Sequence, residues 1–187
     1  ERALSVNRGK EQDVTMSYVK RVMGEAHIGL GRSEIGFREL KEALEISIKL
    51  GQVGNQIYVQ NSLGVAYRSV GAMTEAVECH VTARDLAERH GRRSGDAEIL
   101  TDLGVTHAAA GSHAEATKAL EKALATAVER DERYIAARAS LALGRLPEPL
   151  VKPDRARELL TDALGTFEEL DLPEVAQTRE ALRELDG

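Results

Sequence analysis

Small and apolar residues return along this chain every forty positions. The segment 63–91 reads LGVAYRSVGAMTEAVECHVTARDLAERHG. Forty residues on, 103–131 reads LGVTHAAAGSHAEATKALEKALATAVERD, and forty residues back, 23–51 reads MGEAHIGLGRSEIGFRELKEALEISIKLG. One column holds Gly24, Gly64, Gly104 and Gly144; a second holds Gly31, Gly71 and Gly111. A third holds Gly36, Ala76, Ala116 and Ala156, and a fourth Ala3, Ala43, Ala83, Ala123 and Ala163. A fixed period of this length is the mark of a repeat architecture, in which each unit buries its apolar face on the next.

Within each period the apolar spacing is helical. Residues 1–9 read as the end of a helix, and 11–30 as a helix with a stripe at Val19, Val22, Met23, Ala26 and Leu30. Ser33 is placed to cap the next helix, about 33–50, through its hydroxyl. Further pairs are expected at 54–70 and 73–90, and at 95–110 and 113–130. A fourth pair, 132–145 and 153–170, is interrupted by PEPLVKP at 147–153, because proline neither donates to nor fits a helix interior. Pro153 suits a first helical position, and 173–185 reads as a terminal helix with a polar outer side. The expected organisation is one domain. It comprises a tail of a preceding repeat (1–10), repeats at 11–51, 52–91, 92–131 and 132–172, and a capping helix over 173–187. Glycine inside a helix costs about 1 kcal/mol relative to alanine. Four copies at one phase therefore predict close backbone approach, and the alanine columns predict helix–helix contacts.

Composition narrows the function. Hydrophobic residues make up 42% and charged residues 30% of the 187 positions, with a net charge of −6 and a pI near 5.5. An acidic chain lacks the basic face that phosphate backbones require, so nucleic acid is not an expected partner of this segment. No apolar run reaches the length of a membrane span, and no signal peptide opens the chain. The single cysteine, Cys79, excludes an internal disulfide and suits a reducing, cytoplasmic setting. Arginine outnumbers lysine, as in GC-rich bacterial genomes. The chain begins without methionine at Glu1, and Ala3 falls in a repeat column; both suit a piece of a longer protein.

The order Leu63, Gly64, Tyr67, Gly71, Ala76, Ala83 resembles the tetratricopeptide repeat (TPR). His27, His107 and Pro147 stand at the tyrosine position of the other copies, and Leu40, His80, Leu120 and Leu160 at a later large position. The period is 40 rather than 34, so each helix is longer by about a turn. This longer form resembles the repeats of peptide-binding polarity adaptors. It also resembles those at the C-terminal end of large bacterial transcriptional regulators with an ATPase core, including regulators of antibiotic production. The resemblance implies an all-α, right-handed superhelix of antiparallel helix pairs, a TPR-like solenoid. It also implies a groove lined by the first helix of each pair. The family's binding positions fall on Tyr18, Arg21 and Glu25; on Tyr58, Asn61, Val65 and Arg68; on Glu98, Thr101 and Val105; and on Arg138, Leu141 and Arg145. The carboxylate-clamp set of lysine and asparagine is not reproduced in full.

Other candidate chemistry is weaker. His27 and His107 lie two repeats apart and are expected as packed, hydrogen-bonded rings. His80 and His90 lack the i, i+4 spacing of a zinc pair, and His113 opens a helix. Cys79 has no neighbouring histidine to activate it. The Gly29-Leu30-Gly31-Arg32 stretch follows no strand. No catalytic residue, metal or cofactor is expected. The reading is a non-enzymatic module that binds a protein or peptide in the groove, as the regulatory segment of a larger bacterial transcriptional regulator. Two alternatives stand beside it: a scaffold that self-associates through exposed repeat ends near Ala3 and Leu4, or a receptor for a small signalling peptide.

Overall fold

Every helix from α1 to α6, and α8 as well, ends on the same backbone device, and this device sets the period. The computed structural model describes residues 2–93 and 95–186, of which 2–12 and 186 are described as backbone only. The described residues form α-helices α1 (Arg2–Gly29), α2 (Ser33–Lys49), α3 (Val53–Ser69), α4 (Met73–Arg89), α5 (Asp96–Ala109), α6 (His113–Glu129), α7 (Arg133–Gly144), α8 (Pro153–Glu169) and α9 (Glu174–Asp186). No strand occurs among them. Gly31, Gly51, Gly71, Gly91 and Gly111 have positive φ, and Asp131 and Asp171 take the same conformation at the same phase. At Gly71 the amide bonds to the Arg68 carbonyl at 3.0 Å, and the Ala72 amide reaches back to Tyr67 at 3.0 Å. This paired closure satisfies carbonyls that the helix end leaves free. It recurs around Gly31, Gly111 and Asp171. Glycine suits the left-handed position because it has no Cβ; aspartate tolerates it.

Three expectations are corrected. Residues 1–9 and 11–30 are not separate helices: α1 runs unbroken from Arg2 to Gly29. Ser33 does not cap α2. Arg32 holds the cap position, and no side chain bonds the free amides there. The α1 stripe of Val19, Val22, Met23, Ala26 and Leu30 is exposed. The α1 face turned to α2 uses small groups instead. Ser17 Oγ donates to the Ala43 carbonyl at 2.8 Å, and Gly24 lies against Leu40.

The chain divides into two compact units, Glu1–Arg93 and Ser94–Gly187. In the first, α1 packs on α2, α2 on α3 and α3 on α4. In the second, α5 packs on α6, α6 on α7, α7 on α8 and α8 on α9. The first helices of successive pairs also touch, α1 with α3 and α5 with α7. Contact at this range is set by the small columns. A Cβ at Gly104 would stand 2.5 Å from Leu120 Cγ and 3.3 Å from the Ala116 carbonyl oxygen. At Gly144 the same atoms, of Leu160 and Ala156, would stand at 2.7 and 3.2 Å. The glycine column therefore receives the large residue of the second helix, and the facing alanine column lets the backbones close. Ala43, Ala83, Ala123 and Ala163 are buried at the heart of their pairs. The 147–153 segment is irregular, as expected, and Val151 turns inward to join Leu146, Ala156 and Leu159. Ala3 and Leu4 lie among residues whose side chains are outside the described ones.

Candidate interaction surfaces

In the first unit, one side of the α1–α3 contact gathers two aromatic rings around a guanidinium. Arg21 Cζ stands 5.1 Å from the Tyr18 ring centroid and 5.7 Å from that of Tyr58. Its Nη1 donates to Glu25 Oε1 at 2.5 Å, and the Ser62 hydroxyl donates to the same oxygen at 2.5 Å. Tyr18 is exposed and Tyr58 half-buried. The cluster presents two aromatic surfaces held by a cation whose charge is balanced locally, an arrangement suited to stacking contacts.

Asn61 is turned the other way. It is buried, and its Oδ1 receives the Nδ1–H of His80 at 2.7 Å. His80 occupies the position held by leucine in the other copies and is fully buried. Val65 and Arg68 are half-buried on α3.

In the second unit, Thr101 and Val105 from α5 meet Arg138 and Leu141 from α7 at a cleft of 490 Å³. Ala108, Ala142 and Leu146 extend its apolar lining. Arg145 stands exposed at its edge, and Glu174 and Gln177 of α9 complete the wall. Glu98 is half-buried outside this lining. Thr101 is fully buried, its hydroxyl donating to the Ala97 carbonyl at 2.8 Å, so it backs the cleft and offers no free polar group. Arg138 donates to Asp102 Oδ1 at 2.7 Å, and its Cζ stands 5.7 Å from the Tyr134 ring centroid. Burial opposes the charge on Arg138, but Asp102, Tyr134 and Glu98 together hold its guanidinium above the ordinary arginine pKa. The Tyr134 hydroxyl donates to Glu174 Oε1 at 2.9 Å; burial, then this bond, raise the phenol pKa. Glu174 Oε2 is buried without a hydrogen-bond partner among the described residues. The cleft thus offers an apolar floor, a free acceptor on one wall and a cation at the rim.

Sequence reasoning missed Asp102, Tyr134, Glu174 and Gln177. The signal was available in part. Continuing the phase of residues 18, 58, 98 and 138 by forty more reaches Thr178, which puts α9 where another first helix would stand.

The remaining candidates are placed as follows. His27 Nδ1 is buried without a hydrogen-bond partner among the described residues, so the expected bond is not made at that nitrogen. Cys79 is half-buried, and burial, helped by Glu78 and Glu75, pushes its thiol up to about 11. Among the described residues no group of three or more histidine, cysteine or acidic side chains is placed to hold a metal ion. No helix among them is long and apolar enough to cross a membrane.

Residues 55–129 match the tetratricopeptide repeat. The crystal structure of BtubC (BKLC) from P. vanneervenii superposes with a TM-score of 0.72 at 19% identity, over 97% of this chain and 80% of that one. A Podospora anserina putative kinesin light chain with nearly identical TPR-like repeats superposes with a TM-score of 0.64 at 17% identity, over 92% and 86%. At these identities the likeness shows the fold: all-α, of antiparallel helix pairs, TPR-like. Among curated proteins, none matches the sequence. TPR repeats generally mediate protein–protein interaction and are generally non-catalytic.

Proposed function

We propose that this chain is a non-enzymatic protein- or peptide-binding module, and that the α5–α7–α9 cleft is its principal contact surface. The carrying observation is the union of an apolar floor with two unused polar groups, Arg145 at the rim and Glu174 Oε2 in the wall. A peptide side chain that is apolar would fill the floor. A flanking acidic residue would meet Arg145, and a backbone amide would meet Glu174. The Tyr18–Arg21–Tyr58 cluster would supply aromatic stacking to the same partner or another. The segment serves, on this reading, as the regulatory part of a larger cytoplasmic bacterial transcriptional regulator, whose effector domain responds to the bound partner.

The cleft volume of 490 Å³ falls within the range of small-ligand sites, which supports a short signalling peptide as an alternative ligand. An array of peptides pairing one apolar with one acidic residue tests the reading. Binders should weaken at least tenfold in Val105→Glu and in Arg145→Glu, and remain unchanged in Lys122→Glu, at an exposed position of α6 outside the cleft. Binders that ignore both cleft substitutions defeat the cleft assignment. Arg21→Ala with Tyr58→Ala tests the first unit in the same assay.

A further inference from the structure

The fourth pair departs from the others at the end of its first helix. Helices α1, α3 and α5 run five residues beyond their column glycines, to Gly29 after Gly24, Ser69 after Gly64 and Ala109 after Gly104. Helix α7 stops on its own column glycine, Gly144. Pro147 and Pro149 forbid the missing turn, which would add about 7.5 Å of helix at 1.5 Å per residue. The 147–153 segment refills that space only in part. It turns Val151 inward and leaves a cavity of 380 Å³ among the end of α7, the start of α8 and α9.

This cavity continues the α5–α7–α9 cleft. Arg145 and Leu146 line both. One wall is also shared: α9 gives Glu174 and Gln177 to the cleft, then Ala181, Glu184 and Leu185 to the cavity. Leu185 packs on the cluster of Leu146, Val151 and Ala156, so this face of α9 looks back into the unit. Past Arg145 the charge changes sign. Glu148 from the loop and Glu184 from α9 line the cavity; both are exposed, and neither is hydrogen-bonded or ion-paired among the described residues. Beside them stand the exposed Pro147 and Pro153 and the half-buried Leu185, an apolar surface open to contact.

We propose that this cavity is a second subsite for the ligand of the cleft, and that it takes a basic side chain. The inference rests on the function proposed above. A lysine or arginine stem lies on the prolines and Leu185, and its charged head meets Glu148 and Glu184. Arg145 does not oppose it, because the acidic residue assigned to the rim of the cleft neutralises that guanidinium. Lys152 and Asp154, at the start of α8 and outside the lining, carry opposite charges and offset each other. The ligand therefore reads apolar, acidic, basic along α9. Gln177 and Glu184 stand two helical turns apart, about 10 Å, so the basic residue lies about three residues of extended chain from the apolar one.

Fluorescence anisotropy with labelled, end-blocked peptides tests this. Each peptide carries leucine and aspartate, with lysine or alanine two to four places from the leucine on either side. At one spacing lysine should tighten binding at least fivefold over alanine, and the gain should shrink as salt rises. Glu148→Lys with Glu184→Lys should remove the preference for lysine, and a peptide with glutamate in its place should then bind the more tightly. Both side chains are exposed, so the helical circular dichroism should not change. Lysine without effect at every spacing overturns the subsite and leaves the cleft standing, as does a lysine preference that survives both substitutions. If no leucine–aspartate peptide binds at all, the cleft assignment fails and the subsite with it.

Discussion

A Cβ at Gly64 would stand 2.5 Å from Cε1 of the buried His80 ring. The glycine exists to receive that ring, as Gly104 receives Leu120 and Gly144 receives Leu160. Alanine normally gains about 1 kcal/mol over glycine inside a helix, yet here overlap with a fixed core side chain costs about 1–3 kcal/mol. Gly104→Ala should therefore lower stability by about 1–2 kcal/mol in urea titration. Gly165→Ala, at an exposed position of α8 with nothing near its Cβ, should raise it by about 0.5–1 kcal/mol. Stabilisation by both would remove the packing explanation for the column.

The pairing of His80 with Asn61 lets a polar ring occupy a leucine position. His80→Leu fits the column in size but withdraws the donor from a buried amide oxygen, at a cost of about 1–3 kcal/mol. Adding Asn61→Leu should recover part of this, giving a coupling of about 1 kcal/mol in a double-mutant cycle. Additive effects would mean that the 2.7 Å bond contributes nothing specific.

Ala123 and Ala109 are both alanines near helix pairs, yet Ala123 is fully buried and Ala109 is exposed beside the cleft. Ala123→Leu should lower the melting temperature by several degrees, through overpacking of about 1–3 kcal/mol. Ala109→Leu should leave it within about a degree, since surface changes stay near 0.5 kcal/mol. Equal shifts in scanning calorimetry would contradict the column.

Cys79 links packing to pH. Its folded pKa of about 11 lies above its ordinary 9.0, because burial first, then Glu78 and Glu75, disfavour the thiolate. The folded state therefore holds its proton longer than the unfolded chain between pH 9 and 11, and stability falls as pH rises through that window. Alkylation of the native thiol at pH 8 should be slower than that of the urea-unfolded chain, and Cys79→Ser should flatten the decline above pH 9. Equal alkylation rates would show an open thiol.

Much was legible in the sequence because a repeat's own contacts are local. The glycine at 64 meets residue 80, and the glycine at 104 meets residue 120, always within one pair. Such contacts demand small residues at a fixed phase, and the phase is visible as a column. The turns were legible too, since a left-handed closing residue favours glycine whatever lies beyond it. The cleft was only half visible. Thr101, Val105, Arg138 and Leu141 share a phase, but Glu174 joins them only because α9 folds back beside α7.

The order of elements, the helix-pair unit and its close-packed seams were thus determined by residue size and spacing along the chain. Tertiary structure decided which polar groups face one another: Asn61 turns to His80, and Asp102 to Arg138. It also decided that the α1 stripe has no helix upon it among the described residues, while the same phase in α3 and α7 is covered. Periodicity records that a side of a helix is apolar; only the neighbour actually present decides whether water reaches it.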